Sequence, residues 1–259
     1  MSATTPVTIG LLHPGEMGAA IGAQLVRAGH RVLWSSAGRS AATAERAARA
    51  GLQDVSEAIA LAAASEVVLS VVPPASAADV AASIGEFRGL FVDANAIAPS
   101  TSRAIAESVH ARGGRYVDGG IIGEPPEREG TTRLYLSGPD ATEVAALFAP
   151  TVVGARAVGE RIGEASAVKV AYAGWTKGSA ALLLAVREYA ERTGVDDVVL
   201  AEWAQSQPGL AERWQQAEHA RERKGWRWIG EMEEIARAMD AAELPDGFHR
   251  AAAEIYRDA

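Results

Sequence analysis

The chain of 259 residues, 48% hydrophobic and 22% charged, is long enough for one large domain or two small ones with a buried core. A formal net charge of −8 without a basic run argues against a nucleic-acid partner, and the lack of cysteine excludes disulfides, thiolate catalysis and thiolate metal sites. The five histidines, His13, His30, His110, His219 and His249, are scattered, so no metal is expected.

Met1–Pro6 is a polar lead with neither the charged nor the apolar region of a secretory signal. Residues 165–186 are charge-poor, but Lys169, Lys177, Gly174 and Gly178 suit a buried helix better than a bilayer span. A cytoplasmic location is the expectation.

The first half alternates apolar β-branched runs with alanine-rich stretches. Strands are expected at Val7–Leu12, Arg31–Trp34, Glu66–Val72, Leu90–Asp93 and Arg115–Asp118, with weaker signals at Leu134–Ser137 and Val152–Val153. Helices are expected near Gly15–Ala28, Ala41–Ala50, Val55–Ala64 and from Pro99 to about Arg112. Such alternation means βαβ units and an α/β fold with a mostly parallel sheet covered on both faces. After about residue 160 only helical patterns follow: Gly163–Thr193, Val195–Ser206, Leu210–Arg223, Glu231–Ala242 and Gly247–Arg257. The expected division is an α/β Rossmann domain over 1–158 and an all-α substrate and dimerisation domain over 159–259.

The first strand runs into Gly10-Leu-Leu-His13-Pro14-Gly15-Glu16-Met17-Gly18. A glycine-rich turn leading into a helix lets backbone N–H groups and the positive helix end approach a pyrophosphate. His13 stands at the first glycine of G-x-G-x-x-G; a plain strand-to-helix turn is the bland alternative. NAD-binding folds place an acid near the end of the second strand to hold the ribose 2′-hydroxyl. Here that stretch reads Trp34-Ser35-Ser36-Ala-Gly-Arg39-Ser40, without an acid. Guanidinium and hydroxyl groups suit a 2′-phosphate, so NADP(H) is expected over NAD(H).

In its order of motifs the chain resembles the β-hydroxyacid dehydrogenase superfamily, which includes 6-phosphogluconate dehydrogenases and imine reductases. It looks most like the bacterial phosphogluconate-dehydrogenase-like branch. His13-Pro-Gly-Glu-Met-Gly18 matches G-x-G-x-M-G less its first glycine, and Val72-Pro73-Pro74 matches a loop that lies along the cofactor. Asp93-Ala-Asn95-Ala-Ile-Ala-Pro99 matches D-x-S-T-x-x-P, and Asp118-Gly119-Gly120-Ile-Ile122-Gly123 matches D-A-P-V-S-G. Gly163-Glu-Ala-Ser-Ala-Val-Lys169 matches G-x-G-x-x-x-K, whose lysine is the family's catalytic residue.

The resemblance implies catalytic roles for Lys169 and Asn95, with Asn95 also near the nicotinamide. It places Lys224 beside the nicotinamide and Gly119, Gly120, Ile122, Tyr172, Ala173 and Thr176 around a small substrate. It also implies a homodimer, with Ala180–Val186 as its buried seam. Asn95 and Ala96 replace a Ser-Thr pair, Ile122 a serine and Ala173 an asparagine, so three polar anchors for a small hydroxyacid are changed.

Lysine is rare here: Lys169, Lys177 and Lys224 are the only three among 25 basic residues. Arginine cannot act as a base near neutrality, so a lysine in an arginine-rich chain points to proton chemistry. Its helical neighbours Ala165, Ser166, Tyr172, Ala173 and Thr176 make a small, mildly polar face. The expected activity is hydride transfer between NADP(H) and a small carbonyl/alcohol substrate. Two alternatives are an imine reductase, against which a lysine at 169 argues, and an idle NADP(H)-binding protein.

Overall fold

A computed structural model describes residues 5–257; most of the polar lead read at Met1–Pro6 lies outside them. The chain divides between Lys169 and Val170 into two compact units.

The first unit is built on an eight-stranded sheet: β1 (Thr8–Leu12), β2 (Arg31–Trp34), β3 (Gln53–Asp54), β4 (Val67–Ser70), β5 (Leu90–Asp93), β6 (Arg115–Gly123), β7 (Thr132–Ser137) and β8 (Gly154–Gly159). Their order is β3-β2-β1-β4-β5-β6-β7-β8. All pairs are parallel except β6 with β7. The connecting helices are α1 (Glu16–Arg27), α2 (Ala41–Arg49), α3 (Ala58–Ala63), α4 (Ala77–Ser83), α5 (Pro99–Ala111) and α6 (Ala141–Leu147). Alternate strand residues feed two apolar layers. Ile9, Leu11, Val32, Val67, Leu69, Val92 and Val117 pack with Ile21 and Leu25 of α1 and Val144 of α6. Leu33, Val68, Phe91 and Tyr116 pack with Leu61, Val80 and Ile105 of α3, α4 and α5. Parallel strands buried on both faces explain why the strands read as continuous apolar runs.

The strand order reverses at β1, between β2 and β4, which opens a crevice beyond the carboxyl ends of β1 and β4. The turn 13–18 and the loop 71–74 border that crevice.

Four expectations need correction. The helix expected from Val55 starts at Ala58, because Asp54 accepts the Ser56 N–H at 2.8 Å and Ser56 takes φ +63°, a turn that holds the chain out of helix. The strand expected at Val152–Val153 is instead Gly154–Gly159. It is an edge strand, largely exposed, so burial imposed no apolar run on it. Strand β3 and helices α4 and α6 were not anticipated. The two helices expected over 210–223 and 231–242 are one helix.

The second unit holds most of α7 (Glu164–Thr193), then α8 (Asp196–Ser206), α9 (Leu210–Ala241) and α10 (Gly247–Arg257). Gly225 does not end α9: it is buried against Arg221 and the Tyr256 ring, where a side chain would crowd. Pro208 and Gly209, the latter at φ +84°, do separate α8 from α9. Its core joins Val170, Ala173, Ala181 and Leu184 of α7 to Met232, Ile235, Ala252, Ala253 and Tyr256. Lys177 pairs with Glu231 and lies over the Trp228 ring, and the Tyr256 hydroxyl donates to the Lys177 carbonyl at 2.7 Å. That makes Lys177 a structural lysine.

Among the described residues no helix is long and apolar enough to cross a membrane, and no three acidic or histidine side chains are grouped as metal ligands would be.

Candidate active site

The site grows from the carboxyl ends of the strands. After Leu12, His13 takes φ +65°, Gly15 caps α1 and Glu16 opens it. Gly15 faces open space, so a ligand can meet its bare backbone. A side chain at Gly18 would stand 2.7 Å from the His13 carbonyl, so glycine is required for the turn to close on the helix. Both features are what a pyrophosphate needs at this turn.

Beyond β2, Ser35 donates to the Ser56 carbonyl, Ser40 caps α2 through the Thr43 N–H, and exposed Arg39 lies against the His13 ring. Arg46 of α2 donates to the Pro14 carbonyl at 3.4 Å. The sequence reading found no acid at the end of β2, but Asp54 on neighbouring β3 accepts the Ser36 N–H at 3.2 Å. A hydrogen bond from the Ser36 side chain, then those from the Ser56 and Ser36 backbone, lower the Asp54 carboxyl from its ordinary value. The burial of His13 and the guanidinium beside it push its imidazole down to about 4, so the ring is neutral at physiological pH.

Asn95 is buried, and both ends of its amide are engaged. The carbonyl accepts the Val72 N–H at 2.6 Å, and the amide donates to the Ser70 hydroxyl at 3.1 Å. It therefore fastens the loop Val72-Pro73-Pro74 to the end of β5.

Ser70, Asp93, Asp118 and Ser137 stand side by side in register across β4, β5, β6 and β7, all fully buried. Asp118 is the hub. One oxygen accepts from the hydroxyls of Ser102 and Ser166; the other accepts from the Ser137 hydroxyl and the N–H groups of Gly163 and Ser166. Two of those donors belong to the start of α7, where a carboxylate satisfies N–H groups that lack helical partners. Asp93 accepts the Asn95 N–H at 2.9 Å with one oxygen, while the other has no partner. Burial, then the neighbouring Asp118 charge, raise the Asp93 carboxyl to about 7.

Two residues on from Asp118, Gly120 presents bare backbone to α7: a side chain there would lie 2.9 Å from Lys169 Cβ and 3.0 Å from the Ala165 carbonyl oxygen. Half-buried Lys169 is thus rooted against β6. Gly119 faces the backbone of Asp93 and Ala94, and Ile122 is buried.

The first unit carries His13 to Met17, Ser35, Ser36, Arg39, Ser40, the 72–74 loop and Asn95 on segments that follow strands β1, β2, β4 and β5, with Gly119, Gly120 and Ile122 within β6 and Lys169 near the start of α7. Four residues named from the resemblance lie in the second unit. Tyr172 is exposed on α7, Ala173 is buried in the helical core, the Thr176 hydroxyl donates to the Tyr172 carbonyl, and Lys224 is half-buried on α9. The roles of Asp118, Ser102, Ser137 and Ser166 escaped the sequence reading. The signal was an acid closing each of two apolar runs, LFVD and RYVD.

Residues 8–150 match the NAD binding domain of 6-phosphogluconate dehydrogenase, and residues 190–259 match a domain of unknown function, DUF1932. A relative from Methanothermus fervidus, an uncharacterized 28.5 kDa protein, is 31% identical over 164 residues, a stretch spanning 63% of this chain and 63% of that protein. A conserved hypothetical protein of Sinorhizobium meliloti is 29% identical with TM-score 0.71 over 98% of this chain and 89% of its own. Conserved protein MTH1747, described as structurally similar to 3-hydroxyacid dehydrogenases, is 28% identical with TM-score 0.70 over 97% and 96%. The 3-hydroxyisobutyrate dehydrogenase of Mycobacterium tuberculosis, at 21% identity, shares the fold with TM-score 0.68 over 98% and 94%. With the NAD binding domain of 6-phosphogluconate dehydrogenase matched over more than half its length, the chain belongs to the 6-phosphogluconate dehydrogenase-like, β-hydroxyacid dehydrogenase superfamily.

Proposed function

We propose that the protein is an NADP(H)-dependent oxidoreductase that moves hydride between the nicotinamide and a small carbonyl/alcohol substrate, with Lys169 as general acid/base. The observation that carries this reading is the seating of Lys169 on the bare backbone of Gly120, on a helix whose start is fixed by Asp118. Such rooting fixes the point from which the lysine side chain leaves the helix, and positioning of this kind is what general acid catalysis demands.

When bound, the cofactor would supply or accept the hydride. Gly15 and the first turn of α1 would hold its pyrophosphate. Arg39, Ser35, Ser36 and Ser40 would meet the 2′-phosphate, a preference favoured by the commitment of Asp54 to backbone N–H groups. Asn95 fastens the 72–74 loop, which would lie along the nicotinamide side. As hydride reaches a carbonyl carbon, negative charge grows on oxygen, and the Lys169 ammonium stabilises it and delivers the proton. In the oxidative direction the amine takes the proton back.

The active form is proposed to be a homodimer. Tyr172, Trp175, Leu182, Val186 and Tyr189 recur along α7 at steps of three, four and seven and are all exposed, the pattern of an unpaired helical seam.

The test is NADPH binding together with turnover on a panel of hydroxyacids, ketones and imines. Lys169→Met should bind NADPH like the parent and lose roughly 10²–10⁴-fold in kcat. Near-parent kcat in that variant defeats the reading. NADPH binding with no turnover on any substrate favours an idle binding protein.

A further inference from the structure

We propose that Arg46 of α2 is a specificity residue for NADP(H), bringing a second guanidinium to the 2′-phosphate assigned to Arg39 and the serines around it. This rests on the reading of NADP(H) as the cofactor and adds to it a ligand from a different element.

Three observations converge. First, Ser40, Thr43 and Arg46 recur at steps of three and so share one face of α2. They are joined along it: the Ser40 and Thr43 hydroxyls lie 3.1 Å apart, and Arg46 Nη2 donates to the Thr43 hydroxyl at 2.9 Å. The serine assigned to the 2′-phosphate and the guanidinium are thus separated by a single hydroxyl.

Second, this guanidinium reaches the phosphate-binding turn. Arg46 Nε donates to the Pro14 carbonyl at 3.4 Å, one residue before the bare backbone of Gly15. In NADP(H) the 2′-phosphate and the pyrophosphate are carried by the same adenosine ribose, so a cation held between Thr43 and Pro14 stands where both come close. The two bonds also order the side chain in advance, which removes part of the entropy cost of capturing a phosphate.

Third, the charge is uncompensated. Arg46 Nη1 makes no hydrogen bond, and neither Arg46 nor Arg39 has a carboxylate partner among the described residues. Glu45, the neighbouring acid on α2, pairs with Arg49, and Asp54 is committed to backbone N–H groups. Two guanidiniums are therefore held against adjacent residues of one turn, His13 and Pro14, in a chain of net charge −8. A phosphate offers acceptors to both. An adenosine ribose without a 2′-phosphate has no charge to offer them, so Arg46 favours NADPH over NADH.

The experiment measures dissociation constants for NADPH and NADH by fluorescence titration in the parent, Arg46→Met, Arg46→Gln and Arg39→Ala. A glutamine carries its amide nitrogen where arginine carries Nε, so Arg46→Gln keeps a donor for the Pro14 carbonyl and removes the charge. In both Arg46 variants the NADPH constant should rise roughly ten- to a hundredfold, the effect of one charge-assisted phosphate contact, while the NADH constant stays within about threefold. A mere brace of the turn would weaken both cofactors alike, because both carry the pyrophosphate. Arg46→Gln carries the test should Arg46→Met fail to fold. Parental constants in Arg46→Gln, or equal losses for NADPH and NADH, overturn the proposal. Selectivity lost in Arg39→Ala but kept in both Arg46 variants overturns it too and leaves the cofactor reading intact. A parent that binds NADH as tightly as NADPH defeats the cofactor reading and this proposal with it.

Discussion

Gly120 and Lys169 meet with no room for a methyl group between them: a Cβ on the glycine would stand 2.9 Å from that of the lysine. The Ala165 carbonyl at 3.0 Å closes the other side. Gly120→Ala must therefore push α7 off β6 or distort the strand. An overpacked contact of this kind costs about 1–3 kcal/mol of stability. If Lys169 is the general acid/base, its displacement should lower kcat on a confirmed substrate by on the order of 10²-fold. NADPH affinity, measured by titration, should stay within about threefold, since the turn at 13–18 is untouched. A variant with parental kcat and a lowered melting temperature would show that the seat of Lys169 is structural.

The Asp118 carboxylate accepts from three hydroxyls and two N–H groups. Asp118→Asn keeps the shape but turns an NH₂ toward donors that then lack an acceptor. Removing one partner from a buried charged network costs about 3–5 kcal/mol. Ser166→Ala removes one donor and leaves its N–H bond in place, for about 1 kcal/mol. Urea unfolding of both variants tests the ranking, and equal losses would show that the carboxylate is not the hub.

Asp93 makes stability depend on pH. Its carboxyl is raised to about 7 by burial and by Asp118, so the folded chain holds a proton that the unfolded chain releases near pH 4. Between those values the native state binds more protons, so this group's contribution to stability falls as pH rises and is lost by the time the folded group has ionised near 7. Asp93→Asn stays neutral throughout. The stability difference, variant minus parent, should therefore grow in the variant's favour from pH 5 to pH 8 in parallel melts. A difference independent of pH would mean that Asp93 is ionised in the fold across the range.

The exposed stripe of α7 predicts the assembly state. Leu182 is half-exposed and Trp175 is 73% exposed, positions where an apolar side chain gains nothing in a monomer. Leu182→Glu should turn a dimer into a monomer at micromolar concentration by light scattering, without lowering helix content by circular dichroism. A monomeric parent at that concentration removes the dimer.

Legibility followed burial. Strands covered on both faces, such as Leu90–Asp93, announce themselves as apolar runs; edge strands such as Gly154–Gly159 have no such constraint and were misplaced. Gly225 reads as a break because glycine has low helix propensity, yet α9 runs through it with the glycine buried. The strand-to-helix turn at 13–18 and the long helix that carries Lys169 are legible because their signals are local in sequence. Asp118 was not, because its partners Ser102, Ser137 and Ser166 lie 16, 19 and 48 residues away. Nor was the Arg39–His13 contact, which joins residues 26 apart across two strand ends.

The buried row from Ser70 to Ser137 constrains how this sequence can drift. Each of Ser102, Ser137 and Ser166 is tolerable in an apolar interior because Asp118 accepts its hydrogen bond, and Asp118 is tolerable because they surround it. Replacing Asp118 leaves three hydroxyls and two N–H groups short of an acceptor, whereas replacing one serine takes a single donor from the carboxylate and leaves it four. Drift through these four positions therefore has an order: the serines can be exchanged one by one, and Asp118 is the last that can go.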